Sequence, residues 1–149
     1  MNRSAYSFLL LAVACSGNEL PTDMIAAAKD VMRSHEEFAA AGDLEGVLSN
    51  AANDIVLLTA GVELVEGKDS FRDFYEGLLA LGSWQFDHDY GGADVLGDAV
   101  VLHGVARGTL TPPEGEPSSF ANNFVLVLRS QPDGSLKVWR VAFAPAGDE

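Results

Sequence analysis

The feature that most constrains this chain is a change of hydrophobic period at Gly82 that is never reversed. Before it, apolar residues recur mainly at helical spacing, apart from one strand-like run; after it they alternate to residue 144. The downstream strand candidates are 84–90, 99–110, 120–129 and 136–144. Between them lie Gly91-Gly92, Gly97-Asp98, Pro112-Pro113-Glu114-Gly115 and Pro132-Asp133-Gly134-Ser135, all residue types that make turns. Four consecutive strands joined at hairpin scale predict an antiparallel, strongly bent sheet. Upstream, Ile25, Ala28, Val31, Met32, Phe38 and Ala39 form one helical stripe, with Thr22 as N-cap and Gly42 as terminator. Asp43 caps a second short helix carrying Leu44, Val47, Leu48 and Ala51. A strand-like run over 54–66, interrupted by Gly61, precedes a third helix with Phe71, Phe74, Tyr75, Leu78 and Leu79 on one side. Helix-helix-strand-helix followed by a meander makes an α+β domain, its helices packed against the concave face of a strongly curved antiparallel sheet.

The first residues belong to a different pattern. Arg3 precedes an apolar run over 5–14 that ends at Cys15, the single cysteine. That is the layout of a signal peptide, and Leu11-Ala12-Val13-Ala14-Cys15 resembles the box before the lipidated cysteine of bacterial lipoproteins. The expected organisation is a signal over 1–15, a tether over 16–22 and one domain over 23–145. The location that follows is a bacterial cell envelope, with the chain lipid-anchored at Cys15 or released. A domain without Cys15 has no thiol for nucleophilic attack, disulfides or metal binding.

Charge removes other classes. A formal net charge of −13 over 149 residues disfavours nucleic acid, which needs a basic face. It equally disfavours docking on an anionic bilayer, so membrane contact is expected through the lipid anchor alone. No phosphate loop, dinucleotide fingerprint or serine elbow is present. No cofactor is expected, and His35, His88 and His103 lack the spacing of a metal site.

Several short segments carry a family resemblance over roughly residues 23–144. They are Ala41-Gly42-Asp43-Leu44-Glu45, Ala52-Asn53-Asp54, Glu66-Gly67-Lys68, Leu96-Gly97-Asp98-Ala99-Val100 and Leu128-Arg129-Ser130-Gln131-Pro132-Asp133-Gly134. With them the chain resembles the nuclear transport factor 2-like superfamily, in its SnoaL-like and ketosteroid-isomerase-like branch. The resemblance implies a cone whose open end holds an apolar pocket, and frequent dimerisation through the sheet. These segments punctuate the fold and specify no chemistry.

Candidate site residues come from the phase of each element. His35 falls on the buried stripe of the first helix, where an imidazole needs a partner; in the isomerase branch a tyrosine hydroxyl reaches the ligand from the matching place. Asn122 interrupts the apolar face of Phe120, Phe124, Leu126 and Leu128, and its amide can both donate and accept. Trp84, Phe86, His88 and Tyr90 share one strand face, and Trp139, Val141 and Phe143 another. By the resemblance, the isomerase base and second acidic donor fall at Thr59 and Leu126, neither of which can do that work. His103 and Arg107 are expected outside, across from Asp87 and Asp89. The ligand-binding set is therefore His35, Thr59, Trp84, His88, Asn122 and Trp139, with no catalytic set evident. Three readings follow: binding of a small, largely apolar molecule, an enzyme of the cyclase, isomerase or hydrolase kind using His35 for proton transfer, or a structural module with a filled core. The face of Ala121, Val125 and Val127 is expected to be covered by a second subunit.

Overall fold

The computed structural model describes residues 21–147. Helix α1, Pro21–Ala40, buries Ala28, Met32, His35 and Ala39, the i, i+4, i+7, i+11 stripe of an amphipathic helix. Its first two residues, Pro21 and Thr22, lie in the span expected as tether; Cys15 and the signal lie outside the described residues. Gly42, at φ 69°, closes the helix: its N–H bonds the Ala39 carbonyl at 3.1 Å and the Asp43 N–H bonds that of Phe38 at 2.8 Å. This left-handed closure suits glycine. The Asp43 side chain then accepts from the Gly46 N–H at 2.9 Å and caps α2, Leu44–Ser49. Ala51, expected on that helix, instead opens β1, Ala51–Thr59, because Asn50 ends the helix with its N–H turned back on Leu48 and Val47.

β2, Val65–Glu66, pairs back on β1 and leads into α3, Gly67–Ala80. The remaining strands are β3, Ser83–Leu96; β4, Ala99–Thr111; β5, Ser118–Ser130; and β6, Leu136–Pro145. They form one six-stranded sheet in the order β2-β1-β6-β5-β4-β3. The meander β3 to β6 is antiparallel as expected, but the sheet is mixed, because β6 returns beside β1 running in the same direction. Helix α3 carries the chain from the β1 edge to the far edge, and three hairpins bring it back.

Gly91-Gly92, expected as a turn, is a bulge inside one long strand: the register of β3 against β4 shifts between Tyr90 and Gly92. A second shift, between Val127 and Leu128 of β5, leaves Trp139 of β6 without a partner. Bulges of this kind bend a strand and sharpen the twist of its sheet, and the helices lie in the concavity. At the narrow end Leu48, Ile55, Leu102, Leu128, Val47 and Val100 are fully buried, each contributing about 1.5–3 kcal/mol through burial. The result is an α+β cone whose wide end is left for the site.

Candidate functional site

The wide end encloses a cavity of about 330 Å³. Its wall is mostly apolar, with Phe71, Phe74, Tyr75, Trp84, Phe86, Phe120 and Phe143 contributing rings. No Lys, Arg, Asp or Glu side chain lines it. The mouth lies where β1, β4 and β6 end and β5 begins, marked by Thr59, Leu110, Phe143 and the exposed Ser118.

Two histidines are held in the wall by different partners. Consecutive residues of a helix point about 100° apart, so α1 turns His35 toward α3 and Glu36 toward β3. His35 Nε2 lies 2.6 Å from the Tyr75 hydroxyl, the rings meeting edge to face at 5.4 Å. Burial, with a smaller contribution from His88, lowers the His35 pKa from 6.5 to about 4, so the ring is neutral at physiological pH. Burial also pushes the Tyr75 hydroxyl above its ordinary value. This pair is an uncharged hydrogen-bonding unit.

His88 Nδ1 lies 2.5 Å from Glu36 Oε1, with the imidazole 1% and the carboxylate 19% exposed. An ionised carboxylate only accepts, so Nδ1 is the donor and the Nε2 of a neutral His88 ring carries a lone pair. Phe124 meets this ring edge-on at 4.8 Å and Tyr90 stacks at 6.0 Å, fixing its plane. Burial and the nearby Glu36 charge raise the Tyr90 hydroxyl to about 12. Among the described residues, His35 Nδ1 and His88 Nε2 are the buried side-chain polar atoms with no hydrogen-bond partner. Both belong to residues that line the cavity. An unpartnered buried group costs roughly 1–3 kcal/mol, a cost that bound water or a ligand removes.

Of the expected ligand-binding residues, His35, Thr59, Trp84, His88 and Asn122 are brought together on this wall. Trp84 also donates its indole N–H to the Leu78 carbonyl at 2.8 Å, tying the start of β3 to the end of α3. Trp139 is not on the wall. The β6 bulge breaks the alternation, so Val138 and Val141 both face inward while Trp139 and Arg140 share the outer face. There the indole lies between the guanidinium groups of Arg129 and Arg140, at 4.2 and 4.0 Å from its ring centre, and donates to Asp54 at 3.0 Å. The bond from Trp139 and, next, that from Arg129 hold the Asp54 carboxyl below its ordinary pKa. His103 and Arg107 are exposed, and Arg107 reaches Asp89 at 3.5 Å.

Glu36 and Tyr75 escaped the sequence reading. Tyr75 looks like one more apolar position of α3 until its hydroxyl is placed. Glu36 meets a partner 52 residues away, across two elements whose relative placement no spacing encodes. Among the described residues no cluster of His, Cys, Asp or Glu is gathered to hold a metal ion.

The cone, its apolar cavity and the order of its elements define a class, the nuclear transport factor 2-like fold. Within it, the SnoaL-like domain model matches residues 31–140, and the chain belongs to that family. Solved structures superpose over most of its length. A nuclear transport factor 2-like superfamily protein from Salmonella enterica serovar Typhimurium has a TM-score of 0.75 at 11% identity, covering 85% of this chain and 94% of that one. A ketosteroid isomerase-like protein from Erwinia carotovora atroseptica gives 0.73 at 20% identity, covering 88% and 99%. A protein from Novosphingobium aromaticivorans provisionally named a scytalone dehydratase gives 0.77 at 12% identity, covering 85% and 86%. At these identities the likeness is one of fold. No curated protein matches the chain in sequence.

Proposed function

We propose that this domain is a proton-transfer enzyme, an isomerase or dehydratase, acting on a small, neutral, largely apolar molecule held in the cavity. The observation that carries the reading is His88: a buried imidazole on the cavity wall, oriented at Nδ1 by Glu36 and free at Nε2. In this reading Nε2 removes a proton from a carbon next to a carbonyl. The imidazolium so formed is offset by the Glu36 carboxylate, and the electron pair passes to the carbonyl oxygen as an enolate. Isomerisation follows when the imidazolium returns the proton to another carbon. Dehydration follows when the enolate re-forms the carbonyl, a double bond forms, and a β-hydroxyl leaves as water with that proton. His35 does not serve as the base, since a group with a pKa of about 4 is a weak one at neutral pH; with Tyr75 it supplies a hydrogen bond to the substrate. The isomerase and dehydratase names among the structural neighbours agree with this class.

The test is a panel of cyclic β-hydroxy ketones, followed by enone absorbance and by loss of the α-proton NMR signal in heavy water. Turnover by the wild type should fall about 100-fold or more in His88→Gln and in Glu36→Gln. Saturable ligand binding with no exchange or dehydration on any ketone would leave a binding domain instead.

We place this activity in the cell envelope, with Cys15 as the lipid anchor, on the strength of the apolar run before it. Cys15→Ser should release the protein from the membrane fraction, and equal partitioning of the two forms would remove the anchor. We also retain the homodimer through the outer face of Ala121, Val125 and Val127; Ala121 is exposed in the single chain and Val125 is 46% exposed.

A further inference from the structure

The strand register sets three cavity residues in one row. His88 pairs with Ala106, and Ala106 with Asn122. The three therefore stand in one row across β3, β4 and β5, and all three line the cavity. The outer two are roughly 9.5 Å apart along the row, two strand spacings, and the residue between them carries only a methyl group.

The neighbouring small residues on this face of β4 are small for another reason. A Cβ at Gly104 would run into the Asp89 carbonyl, and one at Gly108 would meet the Gln85 carbonyl and lie 2.7 Å from the Phe120 ring. Neither glycine lines the cavity. Ala106 alone of the three opens onto it.

We propose, on the reading of this cavity as a ligand site, that Ala106 is the specificity-determining floor of a slot for one flat, uncharged ring bearing a hydrogen-bonding oxygen at each end. One oxygen, a hydroxyl, donates to His88 Nε2, which has no partner within the chain. The other meets the Asn122 amide, which serves either a carbonyl or a hydroxyl. Phe86 and Phe120, the next row toward the mouth, flank the ring. No Lys, Arg, Asp or Glu side chain lines the wall to offset a carboxylate or an ammonium group, which disfavours charged ligands.

The experiment is a calorimetric titration of the purified domain with 4-hydroxyacetophenone at mildly acidic pH, where its hydroxyl stays protonated. 4-Ethyltoluene, of similar shape without oxygens, and 4-hydroxybenzoate, which is charged, are the controls. The hydroxyketone should bind at least about tenfold more tightly than either control. Ala106→Leu, which fills the slot, should lower its affinity by about tenfold or more, and Ala106→Gly should keep it. Circular dichroism reports folding, and if the leucine variant unfolds, Ala106→Val replaces it. Unchanged affinity in the folded variant, or equal binding of either control, would overturn the slot. Turnover of the β-hydroxy ketones is scored separately. Absence of turnover by a wild type that binds the ring counts against proton transfer alone, whereas unchanged ring binding in Ala106→Leu with wild-type turnover present counts against the slot alone.

Discussion

The two faces of the sheet each carry a tryptophan and polar groups, yet they treat them oppositely. On the outer face, Trp139, Asp54, Arg129 and Arg140 satisfy one another. The indole donates to Asp54 at 3.0 Å, Arg129 reaches the same carboxylate at 3.1 Å, and Arg140 donates to the Asp54 and Trp139 carbonyls at 2.8 Å. On the concave face, His35 and His88 are each partnered at one nitrogen and left open at the other. The difference teaches that polarity alone does not mark a site. A cluster whose hydrogen-bonding capacity closes on itself stabilises the fold, while buried capacity left open on a cavity wall is available to a ligand.

The comparison can be broken at three points. The largest effect is expected from pH. With its pKa lowered from 6.5 to about 4, His35 is easier to protonate in the unfolded chain than in the folded one. Stability is therefore highest above pH 6.5 and falls as pH drops toward 4, by about 2 to 3 kcal/mol between pH 7 and 4.5. The double variant His35→Phe/Tyr75→Phe removes both partners without orphaning either, and urea unfolding should show that much of the acid sensitivity gone. An identical pH dependence in wild type and double variant would show that the concave-face histidine is not held as described.

A smaller effect is expected on the outer face. Trp139→Ala should cost about 1 kcal/mol through lost cation–π contact, read as a fall of roughly 3 °C in Tm. It should leave the calorimetric affinity for 4-hydroxyacetophenone unchanged. A loss of affinity comparable to that of Ala106→Leu would end the separation between a structural and a binding face. The smallest effect on the single chain is expected from Val125→Glu, a surface change of under about 0.5 kcal/mol. If a second subunit covers this face, sedimentation of the variant should show monomer where the wild type shows dimer. A wild type that is already monomeric at micromolar concentration would leave the face uncovered.

Legibility from sequence followed the range of the interaction. The Gly42 closure and the Asp43 cap rest on contacts within five residues, and both were readable as residue types. Strand alternation correctly turned Trp84, His88 and Asn122 to one face. It failed at Trp139, because a bulge inserts one residue without a mark in the pattern, and everything beyond it changes side. It failed again at Gly91-Gly92, where a residue pair typical of turns bends a continuous strand instead.

By itself the sequence determined the class of fold, through the change of period at Gly82 and the turn residues after it, because periodicity and turn chemistry are local properties of the backbone. It also determined that His35 would be buried and that His88 would share a strand face with Trp84 and Phe86, since helical phase and strand alternation act one element at a time. Only the tertiary structure decided what those histidines can do. Whether an imidazole nitrogen is bonded or open depends on atoms from a distant element: Glu36 of α1 for His88, Tyr75 of α3 for His35. The floor between His88 and Asn122 is likewise a matter of register among three strands, and register exists only once they have paired.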